Sequence, residues 1–171
     1  MKLFLFLLIL VSLIFPSSIY ASDYVLPYPP VMPGGTMYKI RLLTEEVKRI
    51  WSFGSLSQFK YNLEQSDKYL VQTKVLVEYK QYLLGYESLQ KSNQFFEKSR
   101  YFVNEAKLER KDISAQEKTL HTAAEKHSEV LNKLKNEVPS EFNWTPEKSL
   151  ATQLRIHELI DTSINIRKTT K

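Results

Sequence analysis

Cysteine is absent from this chain of 171 residues, and glycine occurs four times and histidine three times. Without cysteine there is no disulfide framework, thiolate zinc site, iron–sulfur cluster or cysteine nucleophile. The few glycines form no phosphate-cradling loop of either common spacing, and neither His-Glu-x-x-His nor Glu-x-x-His occurs. No serine stands in Gly-x-Ser-x-Gly, and the carboxylates are scattered beside lysines along helical patterns. These absences remove the common signatures of catalysis, so the chain reads as non-enzymatic and without a cofactor. Charge is also modest: 24 Lys and Arg against 19 Asp and Glu leave +5, with no block of five or six like charges. That is a solvated surface and no nucleic-acid footprint, although it allows a weak, salt-sensitive attraction to anionic polymers or lipid head groups.

What is present begins with an address. Lys2 precedes an apolar run from Leu3 to Phe15 broken only by Ser12, followed by Pro16, two serines and Ala21. The run is shorter than the ~20 apolar residues of a comfortable bilayer span, and Ala21 offers a cleavage point, so residues 1–21 read as a secretory signal peptide. An uncleaved anchor is the alternative, and the expected destination is secreted or extracytoplasmic. Residues 22–35 include Asp23–Gly35, with four prolines and two glycines, and are expected to be extended. Tyr24, Leu26, Tyr28 and Met32 would pack this segment across the helices, or leave it as a tether.

From Thr36 to Thr169 the pattern is helical, which predicts one all-α domain. Met37, Ile40, Leu43, Val47 and Ile50 or Trp51 mark an amphipathic helix ending at Gly54. Ser55 and Gln58 have capping-box spacing, and Leu56, Phe59, Leu63, Ser66, Leu70, Thr73 and Val77 make a seven-residue seam. After a break near Tyr79–Gln81, a third helix carries Tyr82, Tyr86, Leu89, Phe96 and Val103. A second box, Ser114 with Glu117, opens a fourth with Ile113, Leu120, Ala124, His127, Leu131, Leu134 and Val138, unless one longer helix runs through. Pro139 stops it. Thr145 and Pro146 then suggest a cap for a last helix bearing Leu150, Leu154, His157, Ile160 and Ile164. The expected architecture is an elongated antiparallel, coiled-coil-like bundle of four or five helices.

Joining the last two helices by a short loop sets Leu134 against Leu150, His127 against His157, Ala124 against Ile160 and Leu120 against Ile164. His127 and His157 would then share an interior layer, with Glu125, Glu129, Glu158 and Asp161 around it. Two imidazoles can ligate a transition metal. A polar layer that fixes helix register is the stronger reading, because buried imidazoles usually bond neighbouring helices. His121 should be exposed. Asn143-Trp144-Thr145 matches a glycosylation acceptor in a loop.

Several strings resemble an exported helical family of bacteria and archaea, domain of unknown function 5667. They are Y-V-L-P-Y-P from Tyr24, M-Y-K-I-R-L-L from Met37, S-D-K-Y-L from Ser66, K-H-S-E-V-L-N-K-L-K-N-E-V-P-S-E from Lys126 to Glu141, and I-H-E-L from Ile156. The chain departs from the family at Tyr69, where Arg is usual, at Gly54-Ser55, where Asp-Pro is usual, and at Ile156, where Gly is usual. The resemblance implies an exported helical domain with both histidines in one layer, and no activity. The functional expectation is a secreted or envelope-associated binding or scaffold protein. Its partner would be an envelope or extracellular protein or an anionic polymer, with the membrane reached only through an uncleaved signal segment and an oligomer allowed. The alternatives are a metal-binding bundle using His127 and His157, and an extracytoplasmic chaperone or sensor that holds peptides.

Overall fold

The computed structural model describes residues 24–27, 36–147 and 150–169; residues 1–21, read from sequence as a signal peptide, and Tyr28 and Met32 lie outside them. Helices α1 (Thr36–Trp51), α2 (Ser55–Glu78), α3 (Tyr82–Leu108) and α4 (Ser114–Glu137) are followed by strands β1 (Glu141–Trp144) and β2 (Thr152–Arg155) and by α5 (Ile156–Lys168). The long helices pack against one another as the apolar stripes require. Every residue of the α4 stripe from Ile113 to Val138 is buried, as are Phe59, Leu63, Ser66, Leu70, Thr73 and Val77 of the α2 seam.

Helices α2 and α3 form a close antiparallel hairpin because small residues recur every seventh position of α3, at Gly85, Ser92, Ser99 and Ala106. At the point of contact Ser66 Oγ donates to Ser92 O and Ser92 Oγ to Ser66 O, both at 2.9 Å. A Cβ on Gly85 would lie 3.1 Å from Val77 Cγ2, so the glycine serves close approach. The turns ending α2 and α3 are built alike. Lys80 N and Gln81 N donate to Val77 O and Leu76 O, and Arg110 N and Lys111 N donate to Lys107 O and Ala106 O. These are Schellman closures, with Lys80 and Arg110 in the left-handed region at φ 59° where glycine is usual.

Neither expected capping box forms. The Ser55 hydroxyl instead donates to Glu109 Oε2, joining the start of α2 to the end of α3. At α4, Asp112 Oδ1 accepts from both the Ser114 amide and hydroxyl, so a residue just outside the helix does the capping. The two bonds hold the Asp112 carboxyl below its ordinary value.

The largest departure lies after Pro139. No helix begins at Pro146; the chain turns back as an antiparallel hairpin with Phe142 opposite Leu154 and Glu141 opposite Arg155. Phe142 packs on Tyr82 with ring centroids 4.9 Å apart and Leu154 enters the core, while Leu150 is exposed. Burial of one residue from each short strand outweighs the cap signal of Thr145-Pro146. The hairpin delays α5 by roughly ten residues, or ~15 Å of helix.

Candidate functional site

That delay resets the register of α4 against α5. His127 meets Arg167, Lys135 meets Asp161, and Val138 O accepts from His157 Nε2 at 3.1 Å. The predicted His127–His157 layer is therefore not formed: Val138, which His157 meets at the end of α4, stands eleven residues from His127, ~16 Å along the axis. The acids expected around the pair lie elsewhere. Glu125 faces His121, Glu129 takes Lys126 and Lys133, Glu158 takes Arg155, and Asp161 takes Lys135, all on the surface. The two lysines hold the Glu129 carboxyl down to about 2. His121 is exposed as expected.

His127 belongs to a different layer, wholly buried between two apolar clusters. One is built around Leu70, Leu89, Leu131 and Ile160. The other is built around Phe59, Leu63, Phe96 and Leu120. Between them His127 Nε2 stands 2.7 Å from Asp67 Oδ1, and Arg167 Nε donates to His127 Nδ1 at 3.1 Å. Because guanidinium nitrogens only donate, Nδ1 must accept, so the proton sits on Nε2 and is given to Asp67. The imidazole is neutral. Burial pushes its pKa below the ordinary value and the charge of Arg167 adds to that, against the opposing bond to Asp67.

Arg167, 1% exposed, has further acceptors: Nη1 donates to Asn93 Oδ1 at 2.7 Å and to Ser163 O at 2.9 Å, and Nη2 to Ser92 Oγ at 3.0 Å. Its guanidinium carbon lies 5.0 Å from the centre of the Phe96 ring. Burial presses its pKa to about 9, which still leaves it charged at neutral pH. At the other end Tyr24 OH donates to Asp67 Oδ2 at 2.6 Å, so the extended segment before α1 plugs the layer. Burial first, and then the charge of Asp67, pushes the Tyr24 phenol well above its usual value.

The relay Tyr24–Asp67–His127–Arg167–Asn93 thus ties the N-terminal segment to α2, α3, α4 and α5. It resembles an acid–histidine pair of a hydrolase only in part: the nitrogen that would activate a nucleophile already accepts from an arginine. A metal at His127 would have to displace either Asp67 or Arg167. Among the described residues no group of three or more His, Asp or Glu is arranged to hold a metal.

Asp67, Asn93, Ser163 and Arg167 were not singled out from sequence, although Arg167 falls where the α5 stripe of Ile160 and Ile164 continues. A charge on an apolar stripe was the available signal. Its buried partner on α2, next to Ser66 of the seam, could not be chosen among many acids without the fold.

The surface shows the opposite inversion. Helix α1 docks on α2 through its polar face: Lys48 pairs with Glu64, Lys68 with Glu45, and Gln58 Nε2 donates to Ser52 O. Its apolar stripe points to solvent, with Ile40, Leu43, Val47, Ile50 and Trp51 between 49% and 77% exposed. A crevice of about 740 Å³ lies between the two helices, with Glu45 and Lys48 of α1 and Glu64, Asp67 and Lys68 of α2 among its walls, so charged side chains of α2 meet the polar face of α1. Among the described residues no helix is long and apolar enough to cross a membrane.

Comparison with known proteins adds no relative: no family model, curated protein or solved structure matches the chain.

Proposed function

We propose that this is a non-enzymatic, exported helical protein that acts by binding or scaffolding, and that the apolar face of α1 is its binding surface. The observation that carries this reading is the polar-side docking of α1, which leaves five large apolar residues without cover from the described chain. A contiguous exposed apolar patch of this kind is often a functional surface. The buried relay supports the same reading from the other side, since its groups are spent on one another and present no free base, acid or nucleophile to solvent. Export rests on the apolar N-terminal run and on the resemblance to domain of unknown function 5667.

The test is Leu43→Glu, followed by circular dichroism and urea unfolding at the lowest workable protein concentration. A binding face predicts an unchanged fold and a stability within ~0.5 kcal/mol of the parent. A loss of ~2 kcal/mol or more, the size of a core truncation, would make α1 part of the fold and remove the surface.

A further inference from the structure

The α1 stripe has the spacing of a two-helix seam. Ile40, Leu43, Val47 and Ile50 advance by three, four and three residues, which places β-branched Ile40 and Val47 at a positions and Leu43 and Ile50 at d positions. Ile40 and Val47 at a with Leu43 at d are the choice of two parallel strands, from which Ile50 at d departs, and each a and d residue would face its own copy across a two-fold axis. We propose that the occupant of this face is a second copy of the same chain, paired α1 to α1 in parallel. The inference rests on the binding-surface reading above and names its partner.

Area and charge both bear on the choice. Taking ~100 Å² for a fully exposed aliphatic side chain and ~200 Å² for an aromatic one, the four seam residues with Trp51 and Phe53 offer on the order of 500 Å² per chain. Two copies bury ~1,000 Å², the lower bound for a specific interface, so the dimer is reversible and concentration-dependent. An anionic bilayer is the rival occupant, but it needs free cations beside the apolar face. Here Lys48 is paired with Glu64, and Lys107 and Lys111 near the same end are paired with Glu117 and Glu109. Among the described side chains of α1, the one cation, Lys48, is thus engaged by a carboxylate.

The experiment is sedimentation equilibrium of the purified protein over a hundredfold range of concentration, beside Leu43→Glu and Leu43→Cys. The parent is expected to rise from one to two chain masses, and Leu43→Glu to stay at one. Because the chain has no cysteine, Leu43→Cys provides a single thiol, which should cross-link to its own copy on mild oxidation. Tyr101→Cys, exposed on α3, should not cross-link. Each copy is formally +5, so added salt should strengthen the pairing, whereas it would weaken attachment to anionic vesicles.

A parent that stays at one chain mass, or a dimer that survives Leu43→Glu, overturns the proposal. So does Leu43-dependent binding to phosphatidylglycerol vesicles without dimerisation, which would give the face to lipid while leaving the binding-surface reading intact. Failure of Leu43→Glu to fold would strike that reading itself. The smaller, uncharged Leu43→Cys then still decides the pairing.

Discussion

Two regions of this molecule invert the usual placement of polarity, and they do so with opposite consequences. In the layer around His127 the bundle buries an arginine, an aspartate, a histidine and an asparagine between two apolar clusters. On α1 it leaves isoleucines, a leucine, a valine and a tryptophan in water. The first inversion is resolved inside the chain, where each described polar group of the relay meets a partner of matching donor or acceptor character. The second is resolved by nothing in the described residues, and it is this face that the proposed partner would cover. A buried polar residue can thus be structural while an exposed apolar one is functional.

Substitutions in the relay should have the largest effect. Asp67→Ala leaves Arg167 charged and buried without its counter-charge, and is expected to cost ~3–5 kcal/mol in chemical unfolding. Arg167→Met leaves Asp67 buried without its counter-charge in turn, though still bonded to Tyr24 and His127, and should cost somewhat less than Asp67→Ala. If either costs only ~1 kcal/mol or less, charge balance is not what holds the layer. Tyr24→Phe should lose ~1.5 kcal/mol, as a hydrogen bond to a carboxylate does.

Acid sharpens the comparison, because the relay contains a titratable group and the α1 seam contains none. His127 is neutral in the fold, with its pKa lowered chiefly by burial, while the unfolded chain takes up a proton near pH 6.5. Below that pH the unfolded state binds more protons, so stability falls as pH falls, by up to ~1.4 kcal/mol per pH unit. His127→Gln should flatten that part of the profile. An unchanged slope would mean that His127 is charged in the folded protein.

The turns supply the smallest effect and a control outside both the relay and the α1 seam. Lys80→Gly and Arg110→Gly relieve left-handed strain and should each stabilise by ~0.5–1 kcal/mol, although greater freedom in the unfolded chain offsets part of the gain. Neither substitution should alter association through α1.

Periodicity made the bundle legible. The α4 stripe was readable in full because its apolar positions recur without interruption, and Pro139 marked its end. The last helix was misread because Thr145-Pro146 is a good local cap signal, while the hairpin that overrides it depends on Phe142 meeting Tyr82 and Leu154 entering the core. That single misplacement moved His157 opposite His127. A layer containing His127 was legible, but its partners were not: Asp67 and Arg167 lie sixty and forty residues away in sequence. The α1 stripe was legible as one face of an amphipathic helix, but not which way that face points. Amphipathicity says that one face seeks cover, and does not say whose.

Amide hydrogen exchange, measured at low and high protein concentration, tests the contrast most directly. Amides of α2 to α5 around Ser66, Ser92 and His127 should exchange only by global unfolding at both concentrations, whereas those from Ile40 to Ile50 should be weakly protected at low concentration and gain protection at high. Protection of α1 equal to that of the core at every concentration would contradict the account, making α1 an integral layer of the bundle and leaving it no face to give to a partner.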